Sequence, residues 1–148
     1  LYRACQIKSE VVSQDERESG IRAILNFGHT FGHAFEALGE YRQHTHGEAI
    51  ALGMALAACL SEAVYTQEGL AKQVIRLLMT YGLPVNWQEL PWSFDDVLAK
   101  IYLDKKVLAG RLRLVLLKEV GQAVITDQVD EATMRKVWSV GLLTDRGK

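Results

Sequence analysis

Asn26-Phe27-Gly28-His29-Thr30-Phe31-Gly32-His33-Ala34-Phe35-Glu36, echoed by His46-Gly47-Glu48, is the stretch that decides how this chain is read. All 4 histidines, His29, His33, His44 and His46, lie between positions 29 and 46. Positions four apart on a helix share a face, one turn apart. Helical spacing therefore puts His29 and His33 on one side, with Glu36 a turn beyond His33. Two imidazoles so placed either share a metal ion or divide into one metal ligand and one acid/base group.

Around this stretch, residues 21–38 carry a helical pattern in Ile24, Leu25, Phe31, Ala34, Phe35 and Leu38. Gly28 and Gly32 fall inside it, where each glycine costs about 1 kcal/mol against alanine. Two such costs beside the histidines imply close approach of another helix or of a ligand. Residues 39–45 form a polar loop in which His44 reads as solvated. Residues 49–65 are almost wholly apolar and rich in Ala and Gly, a helix for the middle of a domain. His46 stands at its N-terminal end, where the helix dipole favours the neutral imidazole that metal binding needs. Catalytic zinc takes three protein ligands and an open position. If the helices carrying His29 and following His46 pack antiparallel, both rings reach one ion. Glu36, Glu48 and His33 are local candidates for the third ligand, which otherwise lies outside the chain. The His-Glu-x-x-His peptidase pattern is absent, because Thr30 follows His29.

Elsewhere the pattern is mostly helical. Residues 1–14 show an apolar stripe of Ala4, Ile7, Val11 and Val12, and residues 15–20 are a charged loop ending in Gly20. Residues 68–81 read as an amphipathic helix stopped by Gly82 and Pro84. Ser93 is positioned to cap a helix running to Leu103, with Asp95 and Asp96 in its first turn. A basic turn over 104–110 leads to alternation over 111–115, an apolar run over 115–117 and a partner strand at 123–125, a β-hairpin. Residues 127–140 close the chain as a helix on Val129, Met134, Val137 and Trp138. The fold expected is mainly α with one small β-hairpin. Lys8, Arg22 and the Lys105-Lys106 pair would make an anion site if they converged.

A chain of 148 residues, 49% apolar and 24% charged, fits one globular domain with its own core. A net charge of -1 gives no bulk attraction to nucleic acid or to a membrane surface. The apolar run over 49–60 is short for a bilayer span and reads as a buried helix. Cys5 and Cys59 read as free, buried thiols of a reducing compartment. No signal-peptide pattern is visible. The chain opens Leu1-Tyr2-Arg3 in a helical pattern without an initiator Met, so it is expected to be part of a longer protein.

The motifs together resemble one family. Cys5-Gln6-Ile7-Lys8, Val11-Val12, Asp15-Glu16-Arg17-Glu18-Ser19-Gly20, Arg22, Leu25 through Ala37, and His46-Gly47-Glu48-Ala49 are similar to the C-terminal domain of the 3-dehydroquinate synthase family. Gly82-Leu83-Pro84 and Asp104-Lys105-Lys106 fit it too. The resemblance implies a multihelical C-terminal domain over 1–148, following an N-terminal NAD-binding domain that this chain lacks. It implies a cytoplasmic lyase of the shikimate pathway, in aromatic amino acid biosynthesis. Such an enzyme converts the phosphorylated seven-carbon keto-acid sugar 3-deoxy-D-arabino-heptulosonate 7-phosphate to 3-dehydroquinate and phosphate. Its cofactors are NAD and a divalent metal, Zn2+ or Co2+, and a homodimer is expected at full length. His29 and His46 then match two metal ligands, the third being a glutamate in the preceding region. His33 matches the acid/base histidine and Glu18 a proton acceptor. Lys8, Arg22, Asn26 and Lys105 match substrate-binding positions, as do His29 and His46, with Lys106 the alternative to Lys105. The loop over 39–45 departs from the Gly-Tyr-Gly-rich, aromatic loop of the family.

On this reading the chain alone is inactive and binds metal weakly. Another NAD- and metal-dependent sugar-phosphate cyclase is the nearest alternative, and a metal-dependent alcohol dehydrogenase of the glycerol dehydrogenase type is more distant. A non-catalytic helical module is the alternative of a different class, opposed by the intact Lys8, Glu18, Arg22, Asn26 and histidines.

Overall fold

The helix expected over residues 21–38 is broken in two. The computed structural model describes residues 2–14, 21–104 and 112–142. Within them Ile21–Asn26 is a 3-10 helix, and a separate α-helix begins at the first histidine, His29–Leu38 (α2). The break is Gly28, at φ 80°, a left-handed conformation that glycine adopts without steric cost. A side chain there is excluded for a second reason. A Cβ on Gly28 would lie 2.6 Å from the backbone nitrogen of Met54, in the long helix His46–Tyr65 (α3). From the other side, a Cβ on Gly53 would run into the Gly28 carbonyl. Gly32 sits against Ala49 and Ile50. Contacts descend along α3 as they ascend α2, so the two helices are antiparallel. Of the two explanations for the interior glycines, the helix contact is the one found.

Helix α3 is the centre of the molecule. Thr45 opens it with a capping box: Glu48 N–H donates to the Thr45 hydroxyl, and the Thr45 N–H donates to Glu48 Oε2 at 2.8 Å. Ala49, Leu52, Ala55, Leu56 and Leu60 are essentially inaccessible. With 20 residues, α3 is long and apolar enough to cross a bilayer, yet most of it is buried within the protein, as a core helix is.

The other elements pack around it. Leu70–Thr80 (α4) starts after Gly69 rather than at residue 68, and Glu62 of α3 accepts its Ala71 N–H at 2.8 Å. Phe94–Asp104 (α5) has the expected Ser93 cap, reinforced by Asp96, which accepts the Ser93 N–H at 2.9 Å. Leu114–Glu119 (β1) and Gln122–Thr126 (β2) form the expected antiparallel hairpin, with Leu116 opposite Val124. Ser61 fastens this hairpin to α3. Its buried Oγ donates to the Ala57 carbonyl at 2.6 Å and accepts the Leu117 N–H at 2.9 Å. Glu131–Val140 (α6) begins later than expected because Asp130 caps it, accepting the Thr133 N–H at 2.7 Å. Trp87, fully buried, ties α6 in through its ring N–H to the Trp138 carbonyl. The class is the one expected: mainly helical, with one small hairpin.

Tyr2–Gln14 (α1) is helical as expected, but its apolar stripe is not buried. Ile7 is 46% exposed, Ala4 is exposed, and Val11 and Val12 are half-buried. Its chief neighbour is the 3-10 helix. Cys5 on α1 is exposed rather than buried. Cys59 is free and half-buried, its thiol pushed up to about 12 by burial and then by the Glu62 charge.

Candidate functional site

The break at Gly28 fixes where the histidines stand. His29 is the first residue of α2 and His33 lies one turn later, while His46 is the first residue of α3. Because α2 and α3 are antiparallel neighbours joined by a short loop, the three rings meet at one place. Ring centroids are 5.3 Å apart for His29 and His33, 6.0 Å for His29 and His46, and 6.0 Å for His33 and His46. His33 and His46 are exposed and His29 is half-buried.

Each prospective ligand ring has one nitrogen already engaged. His29 Nδ1 lies 3.3 Å from the Phe27 carbonyl, and His46 Nδ1 lies 2.9 Å from Glu36 Oε1. A ring nitrogen facing an oxygen acceptor carries the proton, which leaves Nε2 of each neutral ring with the lone pair. Metal-bound histidines are oriented in this way by a carbonyl or a carboxylate. Burial lowers the His29 pKa, the Phe27 carbonyl opposes that shift, and the neighbouring His33 and His46 add to it. Near neutral pH, His29 is therefore held in the uncharged form that coordinates a metal. Among the described residues, His33, Glu36 and His46 bring ligand atoms within 4.8 Å of one another, a set of nitrogen donors with a carboxylate that suits Zn2+ or Co2+, and the His29 ring lies beside it.

Glu36 is closer to the centre than the sequence alone required. Its side chain is 10% exposed, and its carboxylate lies within 4.8 Å of donor atoms of both His33 and His46. Glu48, the other local carboxylate considered as a ligand, is committed to the Thr45 cap. The Thr45 N–H and hydroxyl hold its pKa down. The Thr45-x-x-Glu48 spacing is a capping signal that the sequence carried. His44 is not the solvated residue expected. It is half-buried, its Nδ1 is enclosed with no hydrogen-bond partner, and it lines an open cavity with Leu52, Leu83, Pro84 and Leu90.

The substrate-side residues are only partly placed. Arg22 and Asn26 are half-buried on the 3-10 helix that leads into Gly28 and His29. Lys8 is exposed on α1. Glu18, Lys105 and Lys106 lie outside the described residues.

Comparison with known proteins gives one family. The family model described as "3-dehydroquinate synthase C-terminal" matches residues 1–107. A "3-dehydroquinate synthase" of Shewanella sp. (strain MR-4) is 43% identical over 138 residues, 93% of this chain and 38% of that protein. Another, of Dichelobacter nodosus (strain VCS1703A), is 47% identical over 133 residues, 88% of this chain and 36% of that protein. The chain thus spans less than two-fifths of these relatives. Among solved structures, 2-deoxy-scyllo-inosose synthase complexed with carbaglucose-6-phosphate, NAD+ and Co2+ matches 91% of this chain and 39% of its own, at TM-score 0.74 and 30% identity. ValA, a 2-epi-5-epi-valiolone synthase from Streptomyces hygroscopicus subsp. jinggangensis 5008 with NAD+ and Zn2+ bound, matches 94% of this chain and 38% of its own, at TM-score 0.74 and 26% identity.

Proposed function

The chain belongs to the 3-dehydroquinate synthase C-terminal family, and from that premise we propose that it is the metal- and substrate-binding part of a 3-dehydroquinate synthase. The whole enzyme would convert 3-deoxy-D-arabino-heptulosonate 7-phosphate to 3-dehydroquinate and phosphate. The observation that carries this reading is the meeting of His29, His33 and His46, with Nδ1 of both proposed ligands engaged by oxygen acceptors.

In this reading His29 and His46 present Nε2 to a divalent ion, Zn2+ or Co2+. The ion supplies Lewis-acid polarisation of a substrate hydroxyl and carbonyl, and NAD supplies reversible oxidation of the ring. The third ligand, a glutamate, and the NAD site belong to a domain preceding this chain. His33 stands beside both ligands on an exposed edge, where an imidazole can receive a proton from substrate and return it. Glu18 is the second proton acceptor. Lys8, Arg22 and Lys105 supply the cations that a phosphate and a carboxylate require, and Asn26 hydrogen-bonds a ring hydroxyl. A homodimer in the cytoplasm completes the proposal.

In the full-length enzyme, His33→Asn should lower phosphate release by about 10²–10⁴-fold while metal content stays near that of the wild type. Loss of the metal would overturn the division between ligand and proton carrier. The chain alone, given Zn2+, NAD and substrate, should show no turnover, and turnover would refute the need for a second domain. The fold likeness to cyclases of other sugar phosphates supports a second reading, one of those activities. Arg22 with Asn26 favours the first. Assaying the full-length enzyme on both substrate types decides between them.

A further inference from the structure

We propose that Glu36 is a positioning residue for the metal site: its carboxylate accepts the Nδ1–H of His46 and so presents that ring's Nε2 to the ion. The inference rests on the metal reading of His29 and His46.

The two rings are held by different means. His29 leans on a backbone carbonyl, that of Phe27, which no side-chain replacement removes. His46 stands at an exposed corner, its side chain 63% accessible, where an imidazole would otherwise turn among rotamers. The group restraining it is the Glu36 carboxylate, 10% exposed and 2.9 Å away. A carboxylate so enclosed needs a polar partner, because a desolvated acceptor left unsatisfied is costly. Among the described residues, its hydrogen-bond partner is His46. Glu36 itself is mounted on α2, which is fixed against α3 by direct backbone contact at Gly28 and Gly53. The orienting carboxylate and the oriented ring are therefore parts of one rigid antiparallel pair.

Direct ligation by Glu36 through the same pair of atoms is the competing arrangement. Ligands at about 2.1 Å from one tetrahedral ion stand about 3.4 Å apart. The 2.9 Å between Glu36 Oε1 and His46 Nδ1 is shorter than that, and is the separation of a hydrogen bond.

The test uses the full-length enzyme and the variants Glu36→Gln, Glu36→Leu, His46→Ala and His29→Ala. Co2+ affinity is read by chelator competition, and site geometry by the visible Co2+ absorption. Glu36→Leu should weaken Co2+ binding about 10–100-fold and shift the Co2+ spectrum. Glu36→Gln, which keeps an acceptor oxygen, should fall between it and the wild type. Thermal unfolding checks that the variants fold, and the near-isosteric Glu36→Gln decides alone if Glu36→Leu does not. Wild-type affinity and spectrum in both Glu36 variants would overturn the proposal. So would bound Co2+ in Glu36→Leu with one oxygen neighbour fewer than in the wild type by X-ray absorption, since Glu36 would then be a ligand. Wild-type metal content in His29→Ala and His46→Ala would instead sink the metal reading beneath it.

Discussion

Helices α1 and α2 leave the same half of the sequence and differ in almost everything else. Helix α2 buries Phe31, Gly32, Ala34 and Phe35, and its backbone touches that of α3. Helix α1 buries nothing. Both form, because helical hydrogen bonds are local. Among the described residues, α1 meets chiefly the adjacent 3-10 helix, whereas α2 is packed into the core against α3, with His29 and Glu36 tied to neighbours. The difference separates two properties that periodicity alone merges: a helix can be legible as a helix without being buried.

The strongest way to break the contrast is Gly53→Ala. Its methyl group would enter the space of the Gly28 carbonyl, which belongs to the backbone and has no rotamer to escape into. A loss of about 3 kcal/mol in urea unfolding is expected, accompanied by weaker metal binding as α2 moves off α3. Thr45→Ala is milder. It removes the side-chain half of the cap directly before His46 and should cost about 1 kcal/mol.

Acid sharpens the same comparison. The His29 pKa is lowered from 6.5, chiefly by burial. As pH falls below 6.5 the unfolded chain takes up this proton before the folded one does. The folded state therefore loses stability on going from neutral to mildly acidic solution. Melting temperatures at about pH 7.5 and about pH 5.5 should differ more for the metal-free wild type than for His29→Gln. The smallest effect belongs to α1. Ile7→Ser should change the stability of this chain by less than about 0.5 kcal/mol, and a larger loss on unfolding would contradict the exposure of Ile7.

These outcomes also mark what the sequence could and could not reveal. The meeting of His29, His33 and His46 was legible because it rests on spacing and on one short loop. The mainly helical class and the hairpin were legible for the same reason, and so was the Ser93 cap. The break at Gly28 was not, since a repeat of apolar residues says nothing about the sign of φ. The Thr45-x-x-Glu48 box was written in the sequence, and it removes Glu48 from the candidate ligands. Glu36 was visible only as one carboxylate among three local candidates for the third ligand. That it turns toward Nδ1 of His46 depends on the antiparallel contact of two helices. The α1 stripe predicted its helix correctly, while the expected burial of Cys5 on it was not found, because burial needs a second surface. The roles of Glu18 and Lys105 rest on the family resemblance, as both lie outside the described residues.

The loop over 39–45 has a further consequence. Glu40 and Tyr41 hold positive φ angles of 51° and 58° there, between a helix that ends at Leu38 and one that starts at His46. All three clustered imidazoles come from this single helical hairpin, so their assembly requires the closure of one short segment and the packing of α2 on α3. The geometry of the half-site thus depends on one helix pair and the loop that joins it. Damage to the distant hairpin or to α6 would lower the population of folded molecules while leaving the geometry of the histidines in those that remain unchanged.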